Sequence, residues 1–509
     1  MIARRIYTRG KVTLCVAAAG CFILWLALTA EGLKGGFTGD DLMNLYGAVH
    51  APPSEIAGDL LLFFRPSRTF RPAGTAFYRL LFEGFALNPL PLRIFCHGLI
   101  LVNSILACFL LKRLAGSWEA GLMGAALHLC HREFGWFYVN GGLCYDLLCL
   151  FFYSLAFLYY LRARESGRPI GPLQLAIWSC LYVLCLGSKE MAVSLPLMIG
   201  VHELLHNPPT DWSGRALGRW LLNEGRVPMW GALMTLAFIV GRVYGPGALT
   251  SMEAYRPVVS LDAYLDHARH FLWCASGRPG WMKPGVAAVI AVLFVAVAIR
   301  SRLPALRFGL AWMLIGILPV AFIQQRGLDA VCIPSLGLAL FVAAGLDSLA
   351  KRGGRIAALA IFLAILGRIP YEDMTVEVRR IRAVDAELRE RLPEISGRAR
   401  VLLLENPLPP HGWTMVQLIA LRYRDRHPTT FRLDLVMKHW KPAEVADFEV
   451  VLSVVNGRLV LCDAAPFQRV AVSDLPHRAC RQLENPGQYT QSPIPEPGKS
   501  QAGSPPEGE

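Results

Sequence analysis

PLRIFCHGLILVNSILACFLL, residues 91–111, is apolar almost throughout and runs straight into Lys112 and Arg113. As a helix rising 1.5 Å per residue it is long enough to cross a hydrocarbon core of about 30 Å. Runs of this kind recur from residue 12 to about residue 370. Lipid offers the backbone no hydrogen-bond partner, so each run crosses only as a helix. Composition agrees: 54% of the 509 residues are apolar, 17% are charged, and the mean hydropathy is +0.39. The sequence therefore predicts an all-α polytopic membrane protein. Its expected spans are 12–30, 91–111, 118–137, 143–161, 172–187, 190–206, 227–245, 284–300, 305–323, 331–349 and 355–370.

The net charge of +13 is carried largely in short loops between these runs. That is the pattern of a topology signal rather than of a nucleic-acid surface. Arg4, Arg5, Arg9 and Lys11 precede the first run, and Lys112 with Arg113 follows the second. Further clusters (Arg162/Arg164/Arg168, Arg215/Arg219/Arg226, Arg300/Arg302/Arg307 and Lys351/Arg352/Arg355) follow every second run after that. The positive-inside rule places them all in the cytoplasm, with the N-terminus. Eleven spans then leave the C-terminal region outside. Val12 to Ala30 is long enough to span and lacks a clear small-residue cleavage site, so it reads as a span rather than a cleaved signal. The thirteen cysteines are scattered, without metal-finger spacing. Only Cys462 and Cys480 are candidates to pair outside the spans.

Beyond residue 370 the character changes. Residues 371–394 read as an exposed linker helix with alternating charge. A small α/β domain is expected over 395–483, built from the strand RVLLLEN (400–406), the helix WTMVQLIALRYRD (413–425) and the hairpin FEVVLSVVNGRLVLCD (448–463). Asn456-Gly457 marks the hairpin turn. The Pro-, Gly- and Glu-rich segment 484–509 reads as a disordered tail.

Four polar features map to the outer side. Asp40 and Asp41 follow the first span in GFTGDDLMNLYGAVH, residues 36–50. The pair reads either as a solvated loop or as acids opening an amphipathic helix, where the helix N-terminus favours carboxylates and fixes their direction. A carboxylate so held suits a general base or a metal ligand. Next, His128, His131 and Glu133 share one membrane boundary with Asp146. They read as hydrogen-bonded interior residues or as a functional group, with Asp41, His128 and His131 as possible metal ligands. In GSKEM, Lys189 and Glu190 interrupt two apolar runs, either as a local ion pair or with Lys189 facing a phosphate. Arg65, Arg68 and Arg71 lie in the first outer segment, 31–90, whose residues 65–90 carry the pattern of an interfacial helix. Headgroup snorkelling or two-point phosphate recognition accounts for them.

In this order these elements resemble the multi-spanning GT-C glycosyltransferases, above all the protein O-mannosyltransferases and the transmembrane-and-TPR O-mannosyltransferases. FTGDDLMNL is similar to the family's first acidic motif and FRPAGTAFY to the Arg-Pro stretch after it. HLCHREFGWFYVNGGLCYDLL resembles H-P-x-H-x-E…D-L-L, with Leu129 in place of Pro. SKEMAVSLPLMIGVHELL resembles the S-K-E-x-A segment, and IPSLGLALF (333–341) the late P-S-L-G span. Two departures stand out. Asp329 and Ala330 occupy the place of the usual Arg-Tyr, with Arg326 nearby, and the small α/β domain stands where a TPR array would be. The resemblance, over about residues 12–350, implies a GT-C-like transmembrane domain over 1–370. It further implies inverting transfer of a sugar from a polyprenyl-phosphate donor to a protein or envelope-glycan acceptor outside the cell membrane. Asp40 or Asp41 would be the base. Arg65, Arg68, Arg71 and Lys189 would serve the phosphate, and His128, His131, Glu133, Asp146, Glu190 and Arg326 would shape the substrate site. No cofactor is required by this reading, although a divalent metal is compatible with it. A flippase for lipid-linked glycans, or a non-catalytic GT-C-like envelope-binding protein, are the competing classes.

Overall fold

The computed structural model describes residues 19–483 except 21, 24, 28, 66–68, 70, 166, 168, 244–254, 279, 326–331, 355–360, 362–374, 409–411 and 439–444. The chain divides into two compact units, residues 1–378 and 379–509.

The first unit is helical. Three short helices come first, α1 (Gly39–His50), α2 (Pro53–Leu61) and α3 (Pro72–Phe85). The long α4 (Pro89–Ala115) packs on α5 (Trp118–Cys130) and on α7 (Cys144–Arg164), with the short α6 (Trp136–Val139) between them in sequence. Then come α8 (Pro172–Ser188), α9 (Leu195–His206), α10 (Gly214–Asn223), α11 (Arg226–Val243) and α12 (Leu261–Ala275). Helices α13 (Pro284–Arg300), α14 (Pro304–Gly316) and α15 (Cys332–Lys351) complete the packed set. Aromatic rings knit α7 to α14: Trp312 lies with its ring centroid 5.4 Å from Phe157 and 5.5 Å from Phe308.

Helix α4 shows how this packing follows from an apolar solvent. Ile94, Val102, Ile105 and Phe109 are exposed along its outer side, while Arg93, His97, Asn103 and Ser104 are buried. Asn103 donates to the Leu147 carbonyl at 2.9 Å. Polar groups turned inward and apolar ones outward are the reverse of a water-facing helix. Three helical segments, Pro89–Ala115, Gly141–Arg164 and Cys332–Lys351, are long and apolar enough to cross a membrane. Pro172–Ser188, Arg226–Gly241, Pro284–Arg300 and Pro304–Gly316 are apolar and shorter.

Three of the expected spans are interrupted well inside their bounds, among the described residues. The run 305–323 leaves the α-helix after Gly316 and continues as turns. The run 118–137 breaks after Cys130: His131 is extended, and a 3-10 turn, Arg132–Gly135, follows before α6. The run 190–206 opens as a 3-10 turn, Glu190–Ser194, ahead of α9. Irregular backbone at such depth is tolerated where protein covers it, and His131 and Met191 are buried. Most of the expected last span, 355–370, lies outside the described residues.

Helix α16 (Val376–Arg391) carries the boundary into the second unit. There β1 (Arg400–Leu403) pairs in parallel with β2 (Thr429–Arg432) and with β4 (Val450–Val455), and β4 pairs antiparallel with β5 (Arg458–Cys462). Helix α17 (Thr414–Arg422) makes the crossover between β1 and β2. Asn456 and Gly457, both at positive φ, turn β4 into β5. A second pair, β3 (Val445–Ala446) with β6 (Val470–Ala471), follows the short α18 (Leu433–Lys438) in the chain and precedes α19 (Leu475–Leu483). Phe448, Val451, Phe467, Val470 and Leu475 form the core. Cys462 is buried, Cys480 is exposed, and both are free thiols.

Candidate active site

The start of α1 gives its two aspartates opposite environments. Thr38 is the N-cap: its hydroxyl accepts from the Asp41 backbone N–H at 3.2 Å, and the Asp41 carboxylate accepts from the Thr38 N–H at 2.8 Å. This reciprocal box satisfies two of the backbone donors that a helix start leaves unpaired. The same carboxylate oxygen takes an ion pair from Arg93 on α4, whose guanidinium also donates to the Gly36 carbonyl. Both side chains are fully buried. Burial pushes the Asp41 carboxyl above the usual range, and the Arg93 charge with the Thr38 hydrogen bonds pulls against that shift. Asp41 is thus committed to the fold.

Asp40, one residue earlier, is exposed. Its carboxylate accepts from the Asn140 amide Nδ2 at 3.0 Å. The Asn140 Oδ1 in turn accepts from the Gly142 N–H at 2.8 Å and the Thr38 hydroxyl at 3.0 Å, which fixes the amide with its N–H groups toward Asp40. Glycines make this approach feasible. A Cβ on Gly142 would lie 2.4 Å from the Asp40 Cβ, and one on Gly141 would lie 2.8 Å from Asp41 Oδ1. At the far end of α1, Arg79 from α3 donates to the Val49 and Ala51 carbonyls, so both helix termini are held. The result is a carboxylate open to water on a rigid mount.

A second cluster gathers four charges. Arg71, the N-cap of α3, has left-handed φ and ψ of 49° and 69° ahead of Pro72. It makes a two-point ion pair with Glu190, Nη2 at 2.8 Å and Nε at 3.1 Å from one carboxylate oxygen. Burial works against the charged guanidinium, and the Glu190 carboxylate overrides it, so the arginine pKa is held above its ordinary value. Its guanidinium lies 5.3 Å from the Tyr145 ring centroid. Lys189, the C-cap of α8, pairs with Asp146 at the start of α7. Neighbours in sequence therefore pair with different partners, tying α3, α7 and the 189–190 turn together.

The two clusters join through a run of contacts. The Tyr78 hydroxyl donates to the Gly141 carbonyl, and the Tyr78 and Tyr145 ring centroids are 5.2 Å apart. Asp40, Asp41, Arg71, Asp146, Lys189 and Glu190 thereby belong to one connected region. The histidines stand apart from it. His131 Nε2 donates to the Ala275 carbonyl at 2.9 Å, and neither ring nitrogen of His128 has a hydrogen-bond partner among the described residues. Both rings line a small cavity with Phe134, Ala275 and Ser335. Among the described residues no three His, Cys, Asp or Glu side chains converge as metal ligands. Asp41, His128 and His131 therefore do not form such a set. Arg65 is exposed after α2, and it is Arg71 that pairs with Glu190. Arg68, Arg326 and the Glu133 side chain lie outside what is described.

Residue type alone does not single out Arg93, Asn140, Gly141, Gly142 or Tyr145, which build much of this region. Arg93 carried the clearest signal, a charge inside an otherwise apolar run, where an ionisable group calls for a partner. Asn140-Gly141-Gly142 signals a tight turn but not what approaches it.

Neither a protein-family model nor a curated protein sequence matches the chain. Among solved structures, the chain is similar to ArnT from Cupriavidus metallidurans in its apo state, at 15% identity and a TM-score of 0.44. The match covers 86% of this chain and 93% of that one.

Proposed function

We propose that the chain is a membrane glycosyltransferase that moves a sugar from a polyprenyl-phosphate donor to an acceptor hydroxyl, with inversion, on the extracytoplasmic side. The observation that carries this reading is Asp40, an exposed carboxylate fixed by Asn140 at the start of α1. Such a group takes the proton from the acceptor hydroxyl as its oxygen bonds to the anomeric carbon. The bond from that carbon to the phosphate oxygen breaks, and the lipid phosphate leaves with the electron pair. Asp41 is the positioning residue: paired with Arg93 and closed into the Thr38 box, it holds the turn that presents Asp40.

The leaving phosphate needs nearby cations, and Arg71 with Lys189 supplies them. Arg71 is the better suited, since a planar guanidinium can hold two phosphate oxygens at once. The C-terminal unit would lie outside the membrane. No step in this scheme depends on a metal.

General-base catalysis contributes about 10²- to 10⁴-fold to a rate. A deletion strain complemented with the wild-type gene, and compared for envelope glycolipids and glycoproteins, should regain a glycan that the Asp40→Asn gene fails to restore. Full restoration by Asp40→Asn at equal expression would sink the assignment.

A further inference from the structure

Among the described residues, the two ion pairs at Arg71 sum to zero charge: Arg71 and Lys189 against Glu190 and Asp146. A lipid phosphate entering this cluster would add negative charge to a poorly hydrated site, a costly step unless a carboxylate withdraws. We propose that Glu190 holds the place of the donor phosphate on Arg71, so that binding is an exchange in which the phosphate displaces the Glu190 carboxylate. This inference rests on the phosphate-donor reading given above, and it makes Glu190 a specificity-determining residue.

The geometry separates the partner that stays from the partner that leaves. Glu190 occupies the Nε–Nη2 edge of Arg71, the edge a phosphate would use for a two-point contact. The arginine side chain is 9% exposed and the glutamate 22%, so the carboxylate is the member nearer water. The other pair is more enclosed on its acidic side, Asp146 being 3% exposed, so Glu190 is the more accessible of the two acids.

Backbone structure points the same way. Arg71 sits in a left-handed conformation directly before Pro72, which favours extended backbone in the residue ahead of it, and is flanked by the Tyr145 ring. Such a backbone state costs about 1–3 kcal/mol and persists where surroundings impose it. Glu190 instead opens a single 3-10 turn between α8 and α9, where hydrogen-bond geometry is poorer than in an α-helix.

Exchange has a consequence for selectivity. A neutral polyprenol carries no charge with which to replace Glu190, so it would leave the ion pair closed. Only a ligand whose anionic head matches the guanidinium edge would open it. When the product phosphate departs, Glu190 returns and the buried arginine is never left unpaired.

The test uses the full chain in nanodiscs of zwitterionic lipid, with farnesyl phosphate and farnesol as probes. Glu190→Gln removes the competing charge, and should bind farnesyl phosphate roughly tenfold or more tightly than wild type, a typical size for coupled equilibria. Farnesol affinity should be equal in both proteins. Glu190→Asp keeps the charge while shortening its reach, so a smaller gain is expected; it also carries the test if the glutamine variant does not fold. If the folded variants bind farnesyl phosphate no more tightly than a wild type that prefers it over farnesol, the exchange is overturned while the phosphate reading stands. If all proteins bind the two probes alike, the phosphate reading fails and the exchange falls with it.

Discussion

The start of α1 and the cluster around Arg71 handle buried charge in different ways. At α1 two neighbouring acids divide the work: Asp41 satisfies Arg93 and the helix start, which leaves Asp40 unspent and in water. Around Arg71 the two described acids each have a base, Glu190 with Arg71 and Asp146 with Lys189. In the proposed scheme the first arrangement keeps the base exposed. The second keeps its cations occupied until something arrives to claim them. A base must be free before its substrate binds, whereas a buried arginine without a counter-charge would destabilise the resting protein.

The largest effect should come from separating Asp41 from its partner. Arg93→Met leaves a buried carboxylate unpaired and should lower stability by about 3–5 kcal/mol, read as a drop in the thermal unfolding midpoint. The double variant Arg93→Met, Asp41→Leu should recover much of that loss, because an apolar pair of similar bulk needs no counter-charge. Failure of the double variant to recover would mean that the Thr38 box, rather than the ion pair, holds the turn.

A smaller effect is expected on the Arg71 side. A Cβ on Gly74 would fall 2.1 Å from the Tyr145 ring, so Gly74→Ala must displace the ring that flanks the guanidinium. Overpacking of this kind costs about 1–3 kcal/mol, and weaker farnesyl phosphate binding should accompany it. Unchanged stability together with unchanged binding would show that the Tyr145 ring does not support Arg71.

Smallest of the three is Thr38→Ala, which removes the hydroxyl that caps α1 and also contacts Asn140. Loss of an N-cap costs about 0.5–2 kcal/mol. Thermal unfolding should shift only slightly, while transfer falls further than that shift explains, because the hydroxyl also orients the amide that holds Asp40. A transfer loss no greater than the stability loss would detach Asn140 from that role.

Much of this was legible in the chain itself, though unevenly. The apolar runs mark α4, α7 and α15, and the Asn456-Gly457 pair marks the turn between β4 and β5. The break at His131 was not legible, since the apolar composition continues past it and only the buried neighbours permit the irregular backbone. Asp40 and Asp41 are one residue type at adjacent positions, and composition cannot rank them. What divides them is the spacing from Thr38, which puts Asp41 at the box position, and the arrival of Arg93 from a helix some fifty residues on. The first is local and was available in the sequence; the second exists only in the packed fold. The pairing of Lys189 with Asp146 and of Glu190 with Arg71 is equally non-local. Read along the chain, Lys189 and Glu190 suggest a pair with each other.

The central claim is that Asp40, and not Asp41, takes the proton. Asp40→Asn and Asp41→Asn, each in the purified full-length protein, separate the two by measuring unfolding and sugar transfer side by side. Asp40→Asn should leave stability within about 0.5 kcal/mol of wild type, as for other exposed sites, while transfer falls about 10²- to 10⁴-fold. Asp41→Asn should lower stability, and its remaining folded fraction should still transfer sugar. The account is contradicted if Asp40→Asn retains wild-type transfer while folded Asp41→Asn has none.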